Sequence, residues 1–160
     1  MSIALRGLTW DFYMARPTII KGTYVTILMG DGASPEVFTP ICGLTAKGLT
    51  AQTNTTDDFV RDCADPEDIP SRYVTATGQQ WDLSGSGLLN LDNLEDILDA
   101  QGVVRNYRYV IGAPTGSTSY NGYFAGAGMM TNLQFGGPEE GKASVDITIA
   151  SDGPWEWVEA

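Results

Sequence analysis

GLTAKGLTAQTN (Gly43 to Asn54) and RYVTATGQQWDLSGSGLL (Arg72 to Leu89) both alternate as strands do, and TTDDFVRDCADPEDIPS (Thr55 to Ser71) separates them. In the first run Thr45, Lys47, Leu49 and Ala51 alternate against Ala46, Gly48, Thr50 and Gln52. A strand this polar on both faces does not lie wholly inside its own domain. The second run places Trp81 and Leu83 on one face and Asp82, Ser84 and Ser86 on the other, which predicts one long strand or two. The segment between them reads as a long acidic loop. Loops beyond about 12 to 15 residues without structure of their own are uncommon in compact domains and usually bind something. Six carboxylates (Asp57, Asp58, Asp62, Asp65, Glu67, Asp68) stand there against Arg61 alone. Burying them on the parent sheet costs too much without cations, so the loop is expected to reach solvent or a neighbouring molecule.

Working outward, KGTYVTILMGDG sets Thr23, Val25, Ile27 and Met29 against Tyr24, Thr26 and Leu28 and ends in the turn Gly30-Asp31-Gly32. EVFTPICGL follows as its hairpin partner. One helix is predicted, with Asp92 as N-cap, Glu95 completing a capping box, Leu94, Ile97 and Leu98 at helical spacing and Gly102 as the stop. NYRYVIGA, NGYFAGAGMMTNLQF and ASVDITIAS add strands, the last with Val145, Ile147 and Ile149 alternating against Ser144, Asp146 and Thr148. Roughly seven to nine strands and one helix make a mainly β domain, an antiparallel β-sandwich or barrel with one flanking α-helix, a long acidic loop and extended terminal arms. Residues 1–20, with Trp10, Phe12, Tyr13 and Met14, show no clean period, and the chain closes on Trp155 and Trp157. Such ends are either docking arms or simple packing across a sheet edge.

The totals narrow the function. One hundred and sixty residues suit a single domain. Twenty acidic against nine basic side chains give a net charge of −11, the wrong sign for gripping nucleic acid. The absence of histidine removes the commonest general base and metal ligand. Cys42 and Cys63 make neither a disulfide framework nor a zinc site and read as free thiols. The first twenty residues are interrupted by Arg6, Asp11 and Arg16, and no run has the length of a membrane span, so a soluble protein without membrane contact is expected.

Two motifs mislead. GGPEEGKAS (Gly136 to Ser144) nearly matches a phosphate-binding loop, but Ala143 replaces the magnesium-holding hydroxyl, Glu139 and Glu140 repel phosphate and a strand follows. A plain hairpin turn is the better reading. The acidic loop lacks the residue order and turn glycine of a calcium loop. No catalytic residue, cofactor or metal ligand is assigned, and the chain is not read as an enzyme.

The order of elements resembles one family. GDGASPEVFTPICGLTAKGLTAQTNTTD, SRYVTATGQQWDLSGSGLL, LDNLEDILDAQG, YRYVIGAP, GYFAGAGMMTNLQF and GKASVDITIASDGPWEWV look like the phage tail tube (major tail) proteins of long non-contractile tails and of gene transfer agents. The likeness runs from about Thr23 to Val158, leaving residues 1–20 as an N-terminal arm and 21–160 as the tail-tube domain. It implies hexameric rings stacked into a hollow tube, located in the virion tail and assembled in the host cytoplasm. DNA would pass through without specific binding, and tape measure and terminator proteins would be further partners. On that reading Asp57, Asp58, Phe59, Arg61, Asp62, Asp65, Trp10 and Trp155 are inter-subunit contacts. Arg61, Arg72, Arg105 or Arg108 of a neighbour would pair with the loop carboxylates. Asp82, Ser84, Ser86 and Asp146 would face the bore. Six copies would total about −66, which repels phosphate instead of adsorbing it.

Two other readings stay open. One is an isolated β-sandwich binding module, stacking sugars on Trp10, Trp155 and Trp157. The other is a tail terminator or baseplate protein of related fold.

Overall fold

The computed structural model describes residues 19–112 and 122–159. Seven strands form one antiparallel sheet: β1 (Val25–Gly30), β2 (Phe38–Pro40), β3 (Leu44–Val60), β4 (Ser71–Leu88), β5 (Val104–Ile111), β6 (Gly122–Gly136) and β7 (Ser144–Glu159). Their order is β2-β1-β5-β6-β7-β4-β3, with one helix, α1 (Leu94–Ala100), between β4 and β5. The sheet curls until its far strands meet. Lys47 on β3 donates its Nζ proton to the carbonyl of Val25 on β1. The mainly β reading therefore holds, as a single rolled sheet.

The concave face collects the alternating apolar positions. Ile27, Met29, Trp81, Leu83, Tyr107, Met130, Val145, Ile147 and Ile149 are buried there, and Ile97 and Ala100 of α1 close one side. Trp81 anchors the middle of the core. Its indole N–H donates to Gly153 O at 3.1 Å, and its backbone N–H donates to Ser151 Oγ at 3.1 Å. It fits because β6 is bare beneath it, where a Cβ on Gly126 would stand 2.5 Å from the indole ring. Opposite Ala127, β7 carries a bulge between Ser151 and Trp155, opened by Gly153 at φ +120°.

Four sequence readings need correction. The acidic segment is mostly strand, since β3 runs to Val60, β4 resumes at Ser71, and only residues 61–70 connect them. Asp57, Asp58 and Phe59 are thus strand residues, each paired across the hairpin: Asp57 with Val74, Asp58 with Tyr73, Phe59 with Arg72. The loop reading failed because carboxylates on an exposed hairpin carry no desolvation cost, so acidity did not exclude a strand. The helix start also differs. Asn90 caps a 3₁₀ turn at Leu91–Asn93 by accepting from Asp92 N–H, α1 follows from Leu94, and Leu98 points outward. Thr23 belongs to a 3₁₀ turn over Gly22–Tyr24 and not to β1. Trp155 and Trp157 lie within β7, paired with Gly126 and Phe124 of β6, so the carboxyl-terminal stretch is strand and not arm.

Tyr107 is 1% exposed, and among the described residues its hydroxyl has no hydrogen-bond partner. Burial pushes its pKa above the ordinary 10.0, with Arg105 pulling weakly the other way. The neutral form is thus favoured in the native state. Stability is complete below the unfolded value and falls as pH rises toward the native one. Tyr107→Phe is expected to match or exceed the parent in urea unfolding at neutral pH, by up to about 1 kcal/mol. It should also blunt the decline above about pH 10. A loss beyond about 2 kcal/mol would show that the hydroxyl has a partner after all.

Candidate assembly interface

Three features of the sheet look outward. The first is a bare arm. β4 pairs with β7 only from Asp82 to Leu88, so residues 51–60 and 71–81 continue as two strands with no third beside them. At about 3.3 Å per residue this arm projects on the order of 30 Å. A lone two-stranded hairpin is marginal in water. Its side chains nonetheless include Phe59 (66% exposed), Val60, Tyr73 and Val74, with Ile69 in the connection at 85%. By register Phe59 and Val74 share one face, and Val60 and Tyr73 the other. An arm apolar on both sides needs covering on both.

The acids of the tip are partly engaged at home. Asp57 pairs with Arg72. Asp62, Asp65 and Asp68 accept from the backbone N–H groups of Ala64, Glu67 and Ile69, and Arg61 donates to the carbonyl of Pro66 at 2.9 Å. The clustered Asp and Pro of this connection thus shape the turn that reverses the chain, a role the charge count alone concealed.

The second feature is a pair of open margins. β3 is an edge strand along its whole length. On β6, β5 covers only Gly122 to Met129, so the stretch from Asn132 to Gly136 has β7 as its one sheet partner. The two margins lie at one level, because Leu44 to Thr50, Asp82 to Gly87, Val145 to Ala150 and Asn132 to Phe135 are successive rungs of the same ladders. Exposed Leu88, Leu91, Leu98, Val103 and Val104 lie on α1 and the segments flanking it, and exposed Phe135 lies on the open stretch of β6. Gly102 N–H donates to Met130 O, tying that side of α1 to β6 next to its open margin.

The third feature is a polar wall. Across β3, β4, β7 and β6 the convex face reads Thr50, Asp82, Ala150, then Gly48, Ser84, Thr148, Asn132, then Ala46, Ser86, Asp146, Gln134. Asp82, Ser84, Ser86 and Asp146 therefore share one face, and those rows contain no cation. The nearby Lys47 pairs with Gly85 and so sits on the opposite face. Trp155 lies elsewhere, edge-on to Phe124 at 4.6 Å between ring centroids, and Trp10 falls outside the described residues. Cys42 and Cys63 are free and exposed.

A projecting arm, two unpaired margins and a polar wall define a structural β subunit. The family model described as phage tail tube protein matches residues 19–156, and this chain belongs to that family. It is a structural component of the virion tail, where it forms the tube, and not an enzyme. The fold is shared with solved structures at low identity. The tail of an empty gene transfer agent particle, refined helically with C6 symmetry, gives a TM-score of 0.68 at 19% identity, over 88% of this chain and 99% of that one. The virion of a native gene transfer agent particle gives 0.65 at 19% identity, over the same shares of the two chains. The SPP1 tail tube gives 0.65 at 12% identity, over 89% and 80%. No curated protein matches the chain.

Proposed function

We propose that six copies of this chain close into a ring by continuing one sheet from subunit to subunit, and that such rings stack into a tube with an acidic bore through which DNA passes during genome delivery. The observation that carries this reading is the pair of open margins at one level. The outer edge of β3 and the stretch of β6 from Asn132 to Gly136 each lack a neighbour. Exposed strand edges invite pairing with other chains, and closure into a barrel removes them. The C6 symmetry of the gene transfer agent tail fits six copies.

Closure turns the convex polar wall inward. Asp82 and Asp146 then contribute about twelve carboxylates per ring, with Ser84 and Ser86 between them, and phosphate finds no cation in those rows to hold it. Charges of one sign speed passage by preventing adsorption. The β3–β4 arm, through Asp57, Asp58, Phe59, Arg61, Asp62 and Asp65, bridges to a copy in the next ring. Residues 21–160 are the tube-forming domain, assembled in the host cytoplasm, with tape measure and terminator proteins as the partners inside and at the end of the tube.

Cryo-electron microscopy of the purified chain tests the reading. Six-fold rings in which β3 of one copy runs beside β6 of the next are the expected result. A chain that stays monomeric at millimolar concentration, or rings joined only through loops, would overturn it.

A further inference from the structure

Far from the open margins, the other half of the sheet carries a groove of about 740 Å³. Its floor is Ala125, Gly126 and Ala127, with Phe38 and Arg108 on one bank and Pro154 and Glu156 on the other. The Arg108 guanidinium is held between two rings, 3.7 Å from the centroid of Phe38 and 4.6 Å from that of Tyr123. Glu36 also lines the groove. Its Oε2 accepts from Asn106 Nδ2 at 2.8 Å, whereas its Oε1 is shut off from solvent and, among the described residues, accepts nothing. A carboxylate left in that state is under-compensated, which favours bringing a cation to the groove. The shape suits an extended segment with aromatic and cationic side chains.

We infer that this groove seats the first eighteen residues of the same chain, folded back across the sheet. Reach allows it. The described chain starts at Ile19, 83% exposed, just before β1, and β1 is two strands from β6 in the sheet order. Eighteen extended residues span up to about 60 Å, against the roughly 20 Å that a few strand residues and two strand spacings separate. Charge favours it. The segment MSIALRGLTWDFYMARPT carries Arg6 and Arg16 against Asp11 alone, in a chain of net charge −11, and the groove sets Glu36 and Glu156 against Arg108 alone. Trp10, Phe12 and Tyr13 suit the aromatic ring of Phe38, and Arg108 beside it offers a cation for a further ring to cover. The family match begins at residue 19, so this segment lies outside the matched domain. Attachment to the same chain supplies an effective concentration in the millimolar range, which a neighbouring copy has to exceed.

Limited trypsin digestion of the full chain tests the assignment. Arg6 precedes Gly7 and is open to cleavage, whereas Arg16 precedes Pro17 and resists. Ala127→Trp, which fills the floor, is expected to speed cleavage after Arg6 by about tenfold or more, because the cut follows the population of the undocked arm. Glu36→Gln with Glu156→Gln leaves the floor open, removes only charge, and is expected to speed it several-fold. The cleavage rate of the parent is expected to stay constant over a wide dilution series. Equal rates in the parent and the charge variant, whatever Ala127→Trp does to folding, would overturn the docking. Protection that disappears on dilution would overturn its assignment to the same copy. Neither result depends on whether rings or tubes form, which microscopy reads separately.

Discussion

Phe59→Glu combined with Tyr73→Glu is expected to leave a folded chain that no longer builds tubes. The two side chains stand on opposite faces of the β3–β4 arm, 66% and 59% exposed, so the isolated subunit loses little when they change. Thermal unfolding of the monomer should therefore shift by no more than about 2 °C. Assembly responds differently. Burying a Phe or Tyr at an interface is worth about 1.5 to 3 kcal/mol, and a carboxylate in its place adds a desolvation cost. Two such changes weaken each arm contact by at least about 3 kcal/mol, more than a hundredfold, and several arms engage together in a stacked ring. Sedimentation velocity and negative-stain images check the result. Tubes at the parent concentration would show that the arm is not the stacking element. A collapse of monomer stability would show instead that the arm packs on its own domain.

Most of the fold was legible because its alternation is enforced by burial. Val145, Ile147 and Ile149 face the core while Asp146 and Thr148 do not, and Trp81 and Leu83 separate from Asp82 and Ser84 in the same way. Any one-residue slip would move a whole apolar set to the convex face. Where no core disciplines the pattern, the alternation fades. Thr55 to Val60 pairs rung by rung with Ser71 to Ala76, yet neither strand has a buried face, so the alternation that announces a strand was never required there. The signal present was compositional: Phe59, Val60, Tyr73 and Val74 flank an Asp- and Pro-rich turn, as the two legs of a hairpin do. The helix start was missed for a local reason. Asn90 precedes Asp92, and its side chain takes the N–H that a cap at Asp92 would have left for later residues.

The wall was legible residue by residue but not as a surface. Asp82, Ser84 and Ser86 follow from alternation along β4 alone. Placing Asp146 in register with Ser86, and Thr148 and Asn132 in register with Ser84, requires knowing that β7 lies between β4 and β6. That order crosses the chain sequence. The groove was less legible still, since Glu36, Arg108, Ala127 and Trp155 come from four separate parts of the chain.

Reversing the wall gives the other large effect. Asp82→Lys with Asp146→Lys is expected to leave folding and tube formation intact, because both side chains point away from the core and neither makes an ion pair among the described residues. The interior of each ring would then carry about twelve ammonium groups in place of as many carboxylates. Short duplex DNA entering such a tube meets six to ten or more phosphate contacts, enough for affinity to drop about 10³- to 10⁵-fold between 50 and 200 mM salt. Tubes of the variant should therefore retain DNA at low salt, in a form that added nuclease does not reach, and release it as salt rises. The same reversal at Glu139 and Glu140, on the exposed β6–β7 turn, controls for charge as such. It changes the net charge equally, so DNA that it captures outside the channel should be digested. Nuclease sensitivity thus separates bore from exterior. If DNA on the Asp82→Lys, Asp146→Lys tubes is digested as fast as DNA on the turn variant, the polar wall does not line the channel, and the sheet closes with its other margins inward.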